Sequence, residues 1–527
     1  MRSGRRGPSE GRGDERGPPD GQHPSGAQHG ASAGRAPRAQ ARGGGDLLRH
    51  DGRGARGLPA RPLRRGAEPG ARAASGRLVG LPGAARSARV SANRTLGLRG
   101  LPVWIHVLGC RSNLCEGDFL AGDLEARGAH VVREAKGCSA AVIVSCSVTA
   151  EADRKCRQAV RRARRAVGER GIVAVCGCWA QGVGADEAQD LGVDVLVGNR
   201  RKAELTEAVE SMLQNGRSFC DLRSDLARGR EWEELPASGQ GLHTRAFLKV
   251  QEGCDHFCSY CIIPFLRGRS TSRPVEHTMD EVRRLLDAGC SEVVLTGIHL
   301  GMYGRDTGSS LAALVRALSG LTGLARLRLG SIEPFTLDSP LLDALAESPI
   351  FCPHLHLPLQ SGDDAVLGRM RRGYTASDFI QVCDRVRERL GPDLHISSDI
   401  LVGFPGEDSA AFANTLRVMR RAGIGRAHVF PFSPRRGTPA AAFGGRVDAS
   451  ALSDRAGEAI ELGEALLSAY ARRFVGRILP VLAEDGRRRG YTPHFLQAAW
   501  PGEAVPGRLL EVRIESEAGG ELRGCLV

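Results

Sequence analysis

The segment Gly253-Cys254-Asp255-His256-Phe257-Cys258-Ser259-Tyr260-Cys261 places three thiols at C-x3-C-x2-C spacing, just after an apolar run at 246–250. Thiols at this density are metal ligands, and cubane iron–sulfur clusters are held by cysteine. Three ligands for four irons leave one iron open to a small molecule. A structural zinc site would ask for four protein ligands and a second two-cysteine knuckle. The next cysteine downstream is the lone Cys290.

A second trio is spread along the chain upstream. Cys110, Cys146 and Cys178 each stand just beyond a strand-like run, about one βα unit apart. A parallel sheet would bring such positions to one edge, where α/β folds bind ligands. The placement favours a second three-cysteine cluster site over three ordinary buried thiols. Cys115, Cys138, Cys156 and Cys176 lie off the pattern and read as structural.

The elements that must position these thiols follow from periodicity. Strand-like runs at 103–109, 141–145, 172–175 and 193–197 alternate with helical stretches at 116–127 and 152–167. This predicts a small doubly wound parallel sheet over 102–230. A polar linker at 231–244 follows. Further runs at 292–296, 326–330, 354–359, 394–402 and 427–432, with the strand before Cys254, give six βα units. These predict a parallel barrel, full or partial, over 245–474, with chemistry at the carboxyl ends of its strands. Residues 475–527 carry short β alternation and predict a small β-barrel of the nucleic-acid-binding kind. Arg487, Arg488 and Arg489, with Tyr491 and Phe495, could bind and stack on RNA there or form a solvated turn.

Composition bounds the rest. Residues 1–100 hold 20 Arg, no Lys and 7 acidic residues, and so carry the entire net charge of +13. The remaining chain balances 53 basic against 53 acidic residues, so the high pI says nothing about it. Residues 1–98 lack the apolar content to offset their ordering entropy and are expected to be disordered. An Arg/Gly-rich RNA-binding tail and translation from a start assigned too far upstream both remain open for them. A local basic cluster stands out at Arg154, Lys155, Arg157, Arg161, Arg162, Arg164 and Arg165; it could grip phosphates or be a solvated helix face. Fifteen cysteines in 527 residues do not make a disulfide-stapled secreted scaffold. With no apolar run able to span a bilayer, a cytoplasmic, membrane-free protein is expected.

The paired trios, one in a βα domain and one as C-x3-C-x2-C, resemble radical S-adenosylmethionine (SAM) methylthiotransferases from about Val103 to the C-terminus. The stretches Ala152-Asp153-Arg154-Lys155, Cys261-Ile262-Ile263-Pro264, Leu295-Thr296-Gly297-Ile298-His299-Leu300-Gly301 and Ser331-Ile332-Glu333-Pro334 resemble the branch that modifies N6-threonylcarbamoyladenosine in tRNA. The resemblance implies an N-terminal methylthiotransferase domain, a radical-SAM partial (βα)6 barrel and a C-terminal RNA-binding β-domain. It assigns an auxiliary [4Fe–4S] cluster to Cys110, Cys146 and Cys178, and the radical-SAM cluster, as the catalytic centre, to Cys254, Cys258 and Cys261. It further implies SAM as cofactor, the tRNA anticodon loop as partner, an electron donor such as flavodoxin or ferredoxin, and a monomer.

Adenine C2 has no good leaving group, so a radical route is needed and the cofactors carry the hard step. The implied division of labour is SAM cleavage at the downstream trio and delivery of a methylthio group from the upstream one. Gly297, Glu333, Gln360 and Asp399, near strand ends, are candidates to contact SAM or substrate; Asp399 could equally satisfy a buried turn. The same chemistry on isopentenyladenosine or on a ribosomal-protein aspartate is the enzymatic alternative. An iron–sulfur electron carrier or redox sensor is the non-enzymatic one, although carriers usually close every iron with protein ligands. A zinc-containing RNA-binding protein is a further possibility.

Overall fold

A computed structural model describes residues 97–226, 231–238, 244–484 and 488–527. The chain divides into two compact units, Met1–Ser87 and Ala88–Val527, and all described residues belong to the second. The expectation for the tail therefore falls almost wholly outside the described residues. Its C-terminal end is corrected: Gly97 donates its amide to Glu210, and Leu98 is fully buried in a core.

The first sheet contains β1 (Pro102–Val107), β2 (His130–Val132), β3 (Ala140–Ser145), β4 (Ile172–Gly177), β5 (Val195–Val197) and β6 (Cys220–Asp221). All pairings are parallel, in the order β2-β1-β3-β4-β5-β6. The central strands β3 and β4 are buried at every position because both faces are covered. Ala141, Ile143, Val173 and Val175 pack against α2 (Ala150–Val167), while Val142, Val144 and Ala174 pack with α1 (Arg111–Ala126). The short edge strands β2 and β6 carry little pattern and were not expected. α1 starts at Arg111, directly after Cys110, rather than at 116, and α3 (Cys178–Gly182) starts on Cys178 itself.

Downstream, β7 (Ala246–Lys249) is followed by a two-stranded ladder of β8 (Gln251–Glu252) and β9 (Thr271–Ser272). Then come β10 (Glu292–Thr296), β11 (Arg326–Leu329), β12 (His354–His356), β13 (His395–Val402) and β14 (Arg426–Pro431). They form two parallel sheets, β7-β10-β11 and β12-β13-β14, joined by the bridges Leu327–Phe351 and Ser331–His356. This is the partial (βα)6 barrel. Leu327, Leu329, Leu355, Ile396, Ile400 and Val402 belong to its apolar core, while the alternate residues Arg326, Arg328, His354, His356, Ser397 and Asp399 are polar. Period-2 alternation puts the two sets on opposite faces.

The C-terminal segment is a closed barrel of β15 (Ile478–Ala483), β16 (Arg489–Tyr491), β17 (Gln497–Ala499), β18 (Leu509–Ala518) and β19 (Glu521–Leu526). The turn after β16 packs on the polar strand residues of the larger barrel. Arg326 donates to the carbonyls of Tyr491 and Pro480, and Arg328 to those of Thr492 and Pro493. This corrects the stacking expectation for Tyr491 and Phe495. The two rings stack on each other at 4.9 Å, with Arg245 over Tyr491 and Arg328 over Phe495. Their faces are thus committed within the protein. Arg487 lies outside the described residues.

Candidate functional site: two thiol trios at facing strand ends

Cys110, Cys146 and Cys178 lie beyond the carboxyl ends of the adjacent strands β1, β3 and β4. The sheet brings them together, and the three thiols are mutual electrostatic neighbours. Gly109 permits the approach: at φ +104° its Cβ would sit 2.7 Å from Cys146 Cβ, so a side chain there would collide. Asn113 ties the loops, donating to the carbonyls of Leu108 (2.5 Å) and Ser145 (2.9 Å). Cys156, expected to be structural, accepts from the Cys146 amide at 3.3 Å and returns a bond to the Cys146 carbonyl at 3.1 Å.

Cys254, Cys258 and Cys261 lie in one loop and are likewise mutual neighbours. Gly253 enters it at φ +72°, where a Cβ would sit 2.1 Å from the Arg269 carbonyl oxygen. The His256 amide donates to Cys254 Sγ (3.4 Å), Arg372 donates to Cys258 Sγ (3.3 Å), and His299 Nδ1 lies 3.5 Å from Cys254 Sγ. Burial pushes the thiols of Cys254 and Cys261 up to about 12 and Cys146 to about 11. Burial likewise lowers His299 to about 4. Unliganded, these cysteines are protonated, so a metal must displace the protons on binding.

Among the described residues, no three His, Cys, Asp or Glu side chains converge on a single metal ion. All fifteen cysteines are unpaired thiols. Donor set and spacing fit a four-iron cluster at each trio.

Sequence reasoning missed the charged network between the trios. Glu116 meets Lys202, Lys249 and Arg267 at 3.3, 3.0 and 3.1 Å; Glu252 meets Lys249 and Arg267 at 3.0 and 2.9 Å. Burial raises both carboxyls, but the cations outweigh it and hold Glu116 far below the usual range and Glu252 at about 2. Glu233 is a third carboxylate neighbour of Lys249, and Arg267 Nε donates to Cys178 Sγ at 3.1 Å. Arg267 also donates to Asn113, and Asn199 donates to the Leu266 carbonyl. A buried guanidinium aimed at a thiol suits an anionic cluster. The network's members are far apart in sequence, so only the Gly-Cys and strand-end contexts could have hinted at them.

The four strand-end candidates fare differently. Glu333 ion-pairs with Arg372, which touches Cys258, so it stands beside the downstream trio. Gln360 holds a left-handed backbone at φ +65° just past β12, a strained position for a non-glycine residue. Gly297 serves packing, since Gln251 fills the space its side chain would take. Asp399 is not at a strand end: it lies within β13, pairs with His356 at 3.2 Å and keeps 28% of its side chain exposed. Burial raises its carboxyl, but the bond from His356 prevails and lowers it.

The two trios sit at ends that meet. Beyond β3, Ser147 and Asp153 accept from Arg435, and the Ala150 amide donates to Ser433, both of the latter beyond β14. On α2 the basic cluster divides. Arg164 is bound to the Gly192, Gly168 and Gly171 carbonyls and to Asp194, which makes it structural, whereas Lys155, Arg161 and Arg165 are exposed.

Residues 248–419 match the Radical SAM superfamily, and residues 102–198 match an uncharacterized protein family, UPF0004. The threonylcarbamoyladenosine tRNA methylthiotransferase MtaB of Thermotoga maritima is 36% identical over 420 residues, 79% of this chain and 94% of that protein. Its namesake in Bacillus subtilis is 34% identical over 78% of this chain and 93% of its own. The tRNA-2-methylthio-N(6)-dimethylallyladenosine synthase of Syntrophotalea carbinolica is 32% identical, covering 78% and 96%. Among solved structures, the radical SAM methyltransferase TsrM of Kitasatospora setae aligns with a TM-score of 0.49 at 14% identity, over 65% of this chain and 74% of that one.

A partial barrel with an open-sided thiol trio, preceded by a sheet carrying a second, defines a radical SAM enzyme of the two-cluster kind. The chain belongs to the radical SAM methylthiotransferase family, whose cofactors are SAM and two [4Fe–4S] clusters. No described helix is long and apolar enough to cross a membrane.

Proposed function

We propose that this protein converts N6-threonylcarbamoyladenosine at position 37 of tRNA to its 2-methylthio derivative. The observation that carries the reading is the likeness, over 78–79% of this chain and 93–94% of theirs, to the two threonylcarbamoyladenosine tRNA methylthiotransferases, together with thiol trios on facing strand ends. In this reading Cys110, Cys146 and Cys178 hold the auxiliary cluster, and Cys254, Cys258 and Cys261 the radical-SAM cluster. When bound, the clusters and SAM supply the radical and the methylthio group. The chain's own work is placement. Gly253 and Gly109 let the cysteine loops close, Arg372 and Arg267 hold the sulfurs of Cys258 and Cys178, and Glu333 fixes Arg372.

The exposed rings of Phe257, Phe265 and Phe335 stand around the downstream trio and could stack an extruded loop base. Lys155, Arg161 and Arg165 are available to phosphates. The protein would act as a cytoplasmic monomer supplied with electrons by a flavodoxin or ferredoxin. Digested tRNA from a strain lacking it should keep the threonylcarbamoyl nucleoside and lack the 2-methylthio form. The intact gene should restore that form and Cys258→Ala should not. Loss of the isopentenyl product instead would reassign the substrate.

A further inference from the structure

Arg111 directly follows Cys110 and opens α1. Its guanidinium lies 5.9 Å from the centroid of the Phe495 ring, with Arg245, Arg328 and Asp399 as electrostatic neighbours. Those neighbours are already matched. Glu292 takes Arg245 at 3.3 Å and Arg328 at 2.8 Å, and Asp399 turns to His356. Half-buried Arg111 has no hydrogen bond or ion pair among the described residues. A guanidinium with five donors and only a ring beneath it is built to take a carboxylate through two parallel bonds.

Its location narrows which carboxylate. Asp399 is an electrostatic neighbour of Arg111, beside Cys110, and of Arg372, which touches Cys258. Asp399, 28% exposed and paired with His356, thus neighbours a residue beside each trio. A base carbon that must meet both a radical and a sulfur donor belongs there, and the N6 substituent leaves the same ring.

Resting on the substrate reading above, we propose that Arg111 binds the carboxylate of the threonylcarbamoyl group and selects it over an uncharged N6 substituent. Against an isopentenyl group the guanidinium would be left desolvated without an acceptor, which penalises that substrate.

Binding of the reconstituted full-length enzyme to four anticodon stem-loop RNAs tests this. The target base is N6-threonylcarbamoyladenosine, its methyl ester, isopentenyladenosine or adenosine. The wild type should bind the acid about tenfold or more tighter than the ester, as a charge-assisted pair requires. Arg111→Gln should bind acid and ester alike, with wild-type iron content and unchanged affinity for the adenosine RNA. Arg111→Lys, which keeps the charge without the fork, should regain part of the preference, and decides the matter if the Gln variant loses iron. Full acid preference in Arg111→Gln, or an equal loss on all four RNAs as from a phosphate contact, overturns the proposal. A wild type that prefers the isopentenyl RNA would instead remove the substrate reading on which the proposal rests.

Discussion

The two thiol trios have the same composition but are built by opposite means. Cys254, Cys258 and Cys261 are gathered by one loop, whose geometry is set by Gly253 and by backbone amides that donate to Cys254 Sγ and to the carbonyls of Gly268, His256 and Cys258. Cys110, Cys146 and Cys178 are gathered by a sheet, and their surroundings are completed by Arg267, which comes from the loop trio's own segment and reaches Cys178. The loop trio can thus be damaged locally without disturbing the sheet. The sheet trio depends on the junction with the barrel, so damage there should cost stability as well as chemistry.

The sharpest break in that contrast is Gly253→Ala. The added Cβ meets the Arg269 carbonyl at 2.1 Å on a left-handed backbone. A displacement near 1 Å at a reacting centre costs about a hundredfold, so formation of 5′-deoxyadenosine from SAM should fall by that order while the iron content stays near that of the wild type. Gly109→Ala, which crowds Cys146, should spare SAM cleavage and reduce methylthio product.

Arg267→Met comes next. It strands Glu116 and Glu252 with two lysines for partners and removes the donor at Cys178. Breaking a buried charge network of this kind costs about 3 kcal/mol, visible as a lowered urea midpoint. No change would mean that the junction is not what joins the two regions.

A smaller effect follows from pH. Glu252 is held at about 2 against an ordinary 4.5. A depressed carboxyl contributes stability that is complete above its unfolded value and lost as pH falls through its folded one. The metal-free full-length chain should therefore lose stability between about pH 4.5 and 2, and Glu252→Gln should be less stable at neutral pH with a flatter slope over that window.

The same contrast explains what could be read from sequence. The loop trio is legible because its three cysteines lie within eight residues, and the sheet trio because strand periodicity puts Cys110, Cys146 and Cys178 at one edge. The barrel strands were legible within a residue or two at Glu292–Thr296 and His395–Val402. Three-residue β2 and two-residue β6 carry too little pattern. The Glu116–Arg267–Glu252 network was hidden because charged residues normally signal surface, and here segments far apart in sequence bury them jointly. Tyr491 and Phe495 misled for the reverse reason: aromatics beside arginines suggest RNA, but Arg245 and Arg328 approach from the barrel and cover the rings.

The central claim is that the two regions are separate cluster sites, and counting iron in paired variants tests it most directly. Anaerobic reconstitution of the wild type should give about eight irons per chain as two four-iron clusters. Replacing Cys254, Cys258 and Cys261 with Ala should leave about four irons and no SAM cleavage; replacing Cys110, Cys146 and Cys178 should leave about four with SAM cleavage intact. Complete loss of iron from either folded variant, or zinc in place of iron in the wild type, would contradict the account.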